Sequence, residues 1–294
     1  MRTWQESVPF RWDLVTPDHL GTLLDGAVPP DLWFLDELVT CAGKVLARSG
    51  NGDLYFVGRS LDSMFDLLGG VLAGPVGVQR LHRLPLSFQR PAVRSGSRRW
   101  RRRPLTRAEV TQGRRFLDAV GLTPHALARR DRPAVLVDVV HRGGTFTELF
   151  TLLRDWIDAE REPWPVIRRK LRFVGVTSRT RTSPNTYRWQ QHATWTRTLP
   201  ASAVTNVSLD PWVWSHFGDR QVKLTRSFYP DRWLAEDTGP GRDERTRQAL
   251  AEAAALVAYG RSRAGRHAVA RAVGRDHALA QPWLRTLVTN LTKS

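Results

Sequence analysis

Cysteine is almost missing: Cys41 stands alone among 294 residues. A single thiol excludes an intramolecular disulfide framework and a thiolate zinc cluster, so packing must hold the chain together, and a reducing, cytoplasmic setting is expected. Long apolar runs are missing too. No stretch approaches the ~20 apolar residues that span a bilayer, and Met1-Arg2-Thr3-Trp4-Gln5-Glu6 has no apolar core of signal-peptide type, so no membrane partner is expected. Neither Gly-x-Ser-x-Gly nor Gly-x4-Gly-Lys-Ser/Thr occurs, and His141, His192 and His216 lack zinc-ligand spacing. Serine hydrolase, P-loop and zinc-enzyme readings lose their usual support.

Lysine is the third scarcity, with four Lys against 41 Arg. Such usage, in an Ala/Gly/Val-rich chain, is what GC-rich coding produces, so the net charge of +17 is weak evidence of a polyanion partner. Its distribution says more. Residues 1–70 carry five basic and ten acidic groups, whereas residues 79–132 carry fifteen basic and three acidic ones. A local basic patch therefore stands out from a bias that is otherwise general. With 41% apolar and 25% charged residues the chain has the composition of a folded globular protein.

Between Leu32 and Leu46 apolar residues recur with helical spacing, and Ser49-Gly50-Asn51-Gly52 ends the run. Leu54–Gly58 then reads as a buried strand, Arg59-Ser60 as a tight turn and Leu61–Leu72 as a helix. Val78–Leu86 reads as another strand, and Arg94–Pro104, without apolar periodicity, as an exposed basic loop. Thr106 and Glu109 have capping-box spacing ahead of a helix over 107–120. The β-branched run Pro133–Val140 predicts a central parallel strand covered on both faces. Phe146, Leu149, Phe150, Leu153, Trp156 and Ile157 form the stripe of the helix that follows it. Leu171–Thr177 and Ala203–Leu209 read as two further strands. The repeated strand-turn-helix order predicts an α/β fold, an open parallel sheet flanked by helices, over residues 31–236. An N-terminal segment precedes it at 1–30, and a linker near Thr238–Arg242 leads to a small helical extension at 243–294.

The segment Val135–Thr145 carries the most chemistry. Its strand delivers Asp138 at the carboxyl end, the ligand side of an open parallel sheet. Gly143 and Gly144 let backbone N–H groups turn toward an anion, Thr145 adds a hydroxyl, and the helix starting there adds its positive dipole end. A phosphate fits such a turn, with Asp138 placed for a ribose diol or a metal ion.

This stretch resembles the signature of type I phosphoribosyltransferases: an apolar strand leading into two acidic, two apolar, two small polar residues, then Gly-Gly-Thr. Asp138 falls on the second acidic position, Val137 occupies the first, and His141-Arg142 replaces the two small hydroxyl residues. The resemblance implies that His141, Arg142, Gly143, Gly144 and Thr145 bind the 5′-phosphate of phosphoribosyl pyrophosphate, and that Asp138 contacts the ribose and helps hold Mg²⁺. Phe56–Asp62 resembles the family's earlier pyrophosphate-binding turn, which points to Arg59 and Ser60 as leaving-group ligands, Arg59 with a catalytic role beside Asp138. Arg98, Arg99 and Arg101 sit where the family carries a flexible basic loop over the pyrophosphate. After the last strand, where this family grips its base, Trp212 and Trp214 lie two apart and on an extended segment would point the same way to stack a ring. The expectation is a phosphoribosyltransferase, or at least a binder of phosphoribosyl pyrophosphate or a nucleoside 5′-monophosphate. The alternative is an inactive fold relative that senses nucleotides or binds nucleic acid through residues 94–103, and an oligomer stays open.

Overall fold

The computed structural model describes residues 8–16, 20–74, 80–95, 99–181, 188–234, 239, 241 and 243–293. Its centre is a five-stranded parallel sheet. The strands are β1 (Asp53–Val57), β2 (Leu81–Leu84), β5 (Ala134–Val139), β6 (Leu171–Ser178) and β7 (Val204–Leu209), in the order β2-β1-β5-β6-β7. Side chains alternate between faces along a strand, and both faces here are apolar. Leu54, Phe56, Val135, Val137, Val174 and Val176 enter one cluster, while Tyr55, Val57, Leu136 and Phe173 enter the other.

The first face is covered by α1 (Leu35–Arg48) and α2 (Asp62–Val71), which contribute Leu38, Val45, Leu67 and Leu68. Packed on the second face are α3 (Arg107–Ala119), α4 (Pro124–Arg129), α5 (Gly144–Ala159) and α6 (Trp164–Lys170), through Phe116, Leu127, Phe146, Leu149, Leu153 and Ile167. A capping box starts α3: the Thr106 hydroxyl accepts from the Glu109 amide at 3.2 Å and the Glu109 carboxylate accepts from the Thr106 amide at 2.7 Å. Arg103 adds an ion pair to Glu109 at 2.6 Å, and its hydrogen bond, more than the burial opposing it, brings the carboxyl down to about 2.

Two expectations change. Arg94–Pro104 is no open loop: β3 (Ala92–Ser95) and β4 (Arg99–Arg102) pair as an antiparallel ribbon. A ribbon satisfies its backbone across the strands without burying a face, so it leaves no apolar alternation to read. The C-terminal helices α8 (Glu244–Arg261), α9 (Arg263–Gly274) and α10 (Pro282–Lys293) share a core with α1 and α2, to which they give Leu256, Val269, Val273, Leu284 and Leu291. Glycine permits the closest of these contacts. A Cβ on Gly260 would meet the Leu67 carbonyl and the Val71 amide, and one on Gly70 the Val257 carbonyl. Among the described residues no helix is long and apolar enough to cross a membrane.

Gly260→Ala should therefore destabilise the chain by about 1–3 kcal/mol, although alanine is the better helix former by roughly 1 kcal/mol. Gly274→Ala, whose Cβ meets nothing within 4 Å, should be neutral or slightly stabilising. Urea denaturation of the two variants checks this, and equal midpoints would remove the argument for close helix contact.

Candidate functional site

Parallel strands β1 and β5 are neighbours, but their crossovers leave on opposite faces, with α2 on one side and α5 on the other. Their carboxyl ends diverge into a crevice, the place where open α/β sheets take ligands. Both strands enter their helices through a left-handed glycine, Gly58 at φ +70° and Gly143 at φ +73°. No side chain caps α2 at Leu61 or α5 at Gly143. The uncapped first-turn amides of α5 are thus available to an anion, whereas at α2 the Asp62 amide already donates to the Arg59 carbonyl at 3.1 Å.

A cavity of about 370 Å³ occupies the crevice. Arg59 and Ser60 line it from the first turn, Asp138 and Thr145 from the second, Arg102 from the ribbon, and Asp219 and Lys223 from the chain beyond β7. Only 5% of Asp138 is exposed. Burial pushes its carboxyl up to about 8 against the opposing effects of the Val139 amide, the Thr145 hydroxyl and the Lys223 charge. Lys223 is drawn down to about 8, first by burial, with Asp62 opposing and Arg59 assisting. Its Nζ donates to the Ser60 carbonyl at 3.3 Å and to Gln221 Oε1 at 2.5 Å.

Arg59 is anchored, its guanidinium donating to the Thr225 carbonyl and to Ser227 Oγ. Asp62, at the start of α2, is held by Arg83 at 3.3 Å and Arg11 at 3.4 Å, and these two cations outweigh burial to keep its carboxyl below the usual range. The second turn is fixed from behind. Trp189, buried, lies where a Cβ of Gly143 would project, and its Nε1 donates to Asn206 Oδ1 at 2.7 Å. Gly144 begins α5, and a Cβ there would stand 3.4 Å from the Arg102 guanidinium.

Arg59, Ser60, Asp138 and Thr145 thus share one cavity. His141 and Arg142 are exposed outside its lining. Arg98 lies outside the described residues, as do the side chains of Arg99 and Arg101. The stacking pair needs correction. Trp212 and Trp214 sit in helix α7 (Pro211–Ser215), where residues two apart are about 200° around the axis. Trp212 is 67% exposed, 5.5 Å from the Arg220 guanidinium, whereas Trp214 Nε1 donates to the Val176 carbonyl at 3.0 Å. The signal for that helix was in the sequence: Asp210 accepts from the Trp212 amide as N-cap, and Pro211 follows at N1. Arg102, Asp219 and Lys223 had not been singled out as site residues. Lys223 carries a signal of its own, a lysine kept where coding favours arginine, since burial can neutralise lysine and not arginine.

Searches of protein-family models, of curated proteins and of solved structures found no match.

A carboxyl raised by folding binds its proton more tightly in the native state, so its contribution is present below about pH 4 and lost as pH rises through about 8. Asp138→Asn removes that loss. The variant should match the wild type in stability near pH 4 and exceed it progressively toward pH 8.5. Parallel melting curves test this, and a variant no more stable at pH 8.5 would refute the burial cost.

Proposed function

We propose that the crevice binds a phosphorylated ribose, as phosphoribosyl pyrophosphate or a nucleoside 5′-monophosphate, and that the protein is a phosphoribosyltransferase acting on an acceptor of unassigned identity. The observation carrying this reading is that the turns after β1 and β5, resembling the pyrophosphate and 5′-phosphate turns of that family, open on one cavity at the switch of the sheet. The uncapped start of α5 and Arg102 suit the 5′-phosphate; Arg59, Ser60 and Lys223 suit the pyrophosphate. Asp138 shares the cavity wall with Thr145, where it would face the ribose.

Transfer of a ribosyl group builds positive charge at the anomeric carbon and negative charge on the departing diphosphate. A site for it must stabilise both while excluding water. Asp138 serves the first need when ionised, and the Lys223 charge in the same cavity favours that ionisation. Arg59 and Lys223 serve the second. Mg²⁺ fits as a partner of the diphosphate: Asp138 and Asp219 are the carboxylates on the cavity wall, and the described residues hold no cluster of three ligating side chains. Asp138 and Asp219 would hold such a cation only in part, leaving room for phosphate oxygens and water. When bound it would neutralise the diphosphate as it leaves.

Calorimetric titration with phosphoribosyl pyrophosphate, with and without Mg²⁺, tests the reading. Gly144→Val should weaken binding at least tenfold while leaving the fold intact, because its methyls displace Arg102 rather than backbone. Absence of binding by the wild type, or equal affinity of the variant, would overturn it.

A nucleic-acid surface is the second reading, favoured by the fifteen basic groups of residues 79–132. Its test spares Arg103, which is committed to Glu109. Under the phosphoribosyl reading, Arg98, Arg99, Arg101 and Arg102 to Ser leave nucleic-acid affinity low throughout. Tight RNA or DNA binding, abolished by these changes and falling with a slope of about −0.7 to −0.9 in log salt per phosphate contacted, would establish the alternative.

A further inference from the structure

Behind Arg59 lies a second cavity, of about 320 Å³. Arg59, Lys223, Arg226, Arg232 and Arg245 line it, facing Asp243, the one carboxylate there among the described residues. That carboxylate is engaged as the N-cap of α8, accepting from the Thr246 amide at 2.8 Å and the Thr246 hydroxyl at 3.0 Å. A cavity so unbalanced in charge favours an anion. Thr225 supplies an independent sign. Its residue is 5% exposed and lines the cavity, yet its Oγ1 has no hydrogen-bond partner. Buried hydroxyls are nearly always satisfied, and one that is not marks a place where something else completes the bond. Pro9 and Phe10 from the N-terminal segment add an apolar wall, Phe10 being 43% exposed there.

We infer that this cavity is a second ligand site, for a small organic anion that carries a phosphate or carboxylate on an apolar body. The guanidinium groups of Arg226 and Arg245, both exposed at the cavity, take the anionic group in charge-assisted bonds. Thr225 Oγ1 donates one more, and the body rests on Phe10. The site stands without the phosphoribosyl reading, but it is linked to the crevice. Arg59 and Lys223 line both cavities, so an anion in one lowers the positive potential felt in the other, and the linkage is mutual and negative.

Calorimetry on the full chain tests the site with two probes, inorganic pyrophosphate for the phosphate group and phthalate for an aromatic carboxylate. Two variants are informative: Arg226→Ser with Arg245→Ser, which alters exposed side chains only, and Thr225→Val, which is isosteric and removes a hydroxyl that has no partner to lose. The double variant should weaken at least one probe tenfold or more, and Thr225→Val should weaken the same probe several-fold, with both proteins melting like the wild type. Loss confined to pyrophosphate assigns a phosphate ligand, and loss confined to phthalate a carboxylate one. Isotherms unchanged by the double variant, or a wild type that binds neither probe, would overturn the inference. Gly144→Val keeps the two proposals apart: if it leaves phosphoribosyl pyrophosphate binding untouched while the double variant abolishes pyrophosphate binding, the second site stands and the crevice reading falls.

Discussion

The guanidinium of Arg59 joins the turn after β1 to the chain at Thr225 and Ser227. Both cavities owe their shape to that tie. The segment beyond α7 has no strand of its own to order it among the described residues; it is drawn across the open end of the sheet by Arg59, by Lys223 on the Ser60 carbonyl and by the Ser87 amide on the Phe228 carbonyl. Without this strap the crevice would be a shallow edge above β1 and β5. With it, the crevice has a roof, and the roof has an outer surface that forms the second cavity.

Keeping Arg59 so deep requires compensation, because burial lowers the proton affinity of a guanidinium and Asp62 is the first group opposing that. Asp62 is in turn satisfied by Arg83 and Arg11. The start of α2 is therefore an alternating network of cations and carboxylates, tied to the N-terminal segment through Arg11. On the opposite turn the arrangement differs. No cation within ion-pair distance of Asp138 is found among the described residues, and the nearest opposing charge, Lys223, is itself drawn toward neutrality. Asp138 costs stability in its ionised form where Asp62 is stabilised in its own. A fold optimised for stability alone would carry asparagine or an apolar residue at 138, which makes this carboxyl a candidate for function.

How much of this was legible depends on which signal a residue leaves. β5 and α5 were readable because a strand covered on both faces must be continuously apolar and its helix must show a stripe; Val135, Leu136 and Val137 followed by Phe146, Leu149 and Leu153 meet both demands. The two turns were readable because left-handed junctions select glycine at 58 and 143. The ribbon of β3 and β4 was not, since Ala92, Val93 and Trp100 stand among arginines without an alternation that marks a strand. Neither was the docking of α8, because it relies on Gly70 and Gly260 being small where helices touch, and small residues carry no hydrophobic signal. Lys223 and Arg102 escaped because their roles come from long-range placement, across 163 residues to the Ser60 carbonyl in one case and onto Gly144 in the other.

Val137, the departure from the resembled signature, has a structural cause. Adjacent residues on a strand face opposite ways, and Val137 points into the apolar cluster beneath α1 and α2 while its successor Asp138 reaches the crevice. An acid at 137 would lose its hydration to Val45, Leu67 and Val174 in that cluster without a cation to repay it. The first acidic position of the resembled signature thus lies in the core of this chain, and one carboxyl, Asp138, is left to the crevice. Under the phosphoribosyl reading, that concentrates all of the carboxylate's electrostatic work on a group poised between protonated and ionised near neutrality, with a lysine of matching affinity in the same cavity. On that reading binding can proceed with Asp138 protonated, since amides, Arg102 and Lys223 would hold the phosphates; transfer cannot, since developing ribosyl charge needs the ionised form. Affinity and turnover must then separate with pH, and that separation is what distinguishes an enzyme working with one carboxyl from a binder that has kept only the phosphate turns.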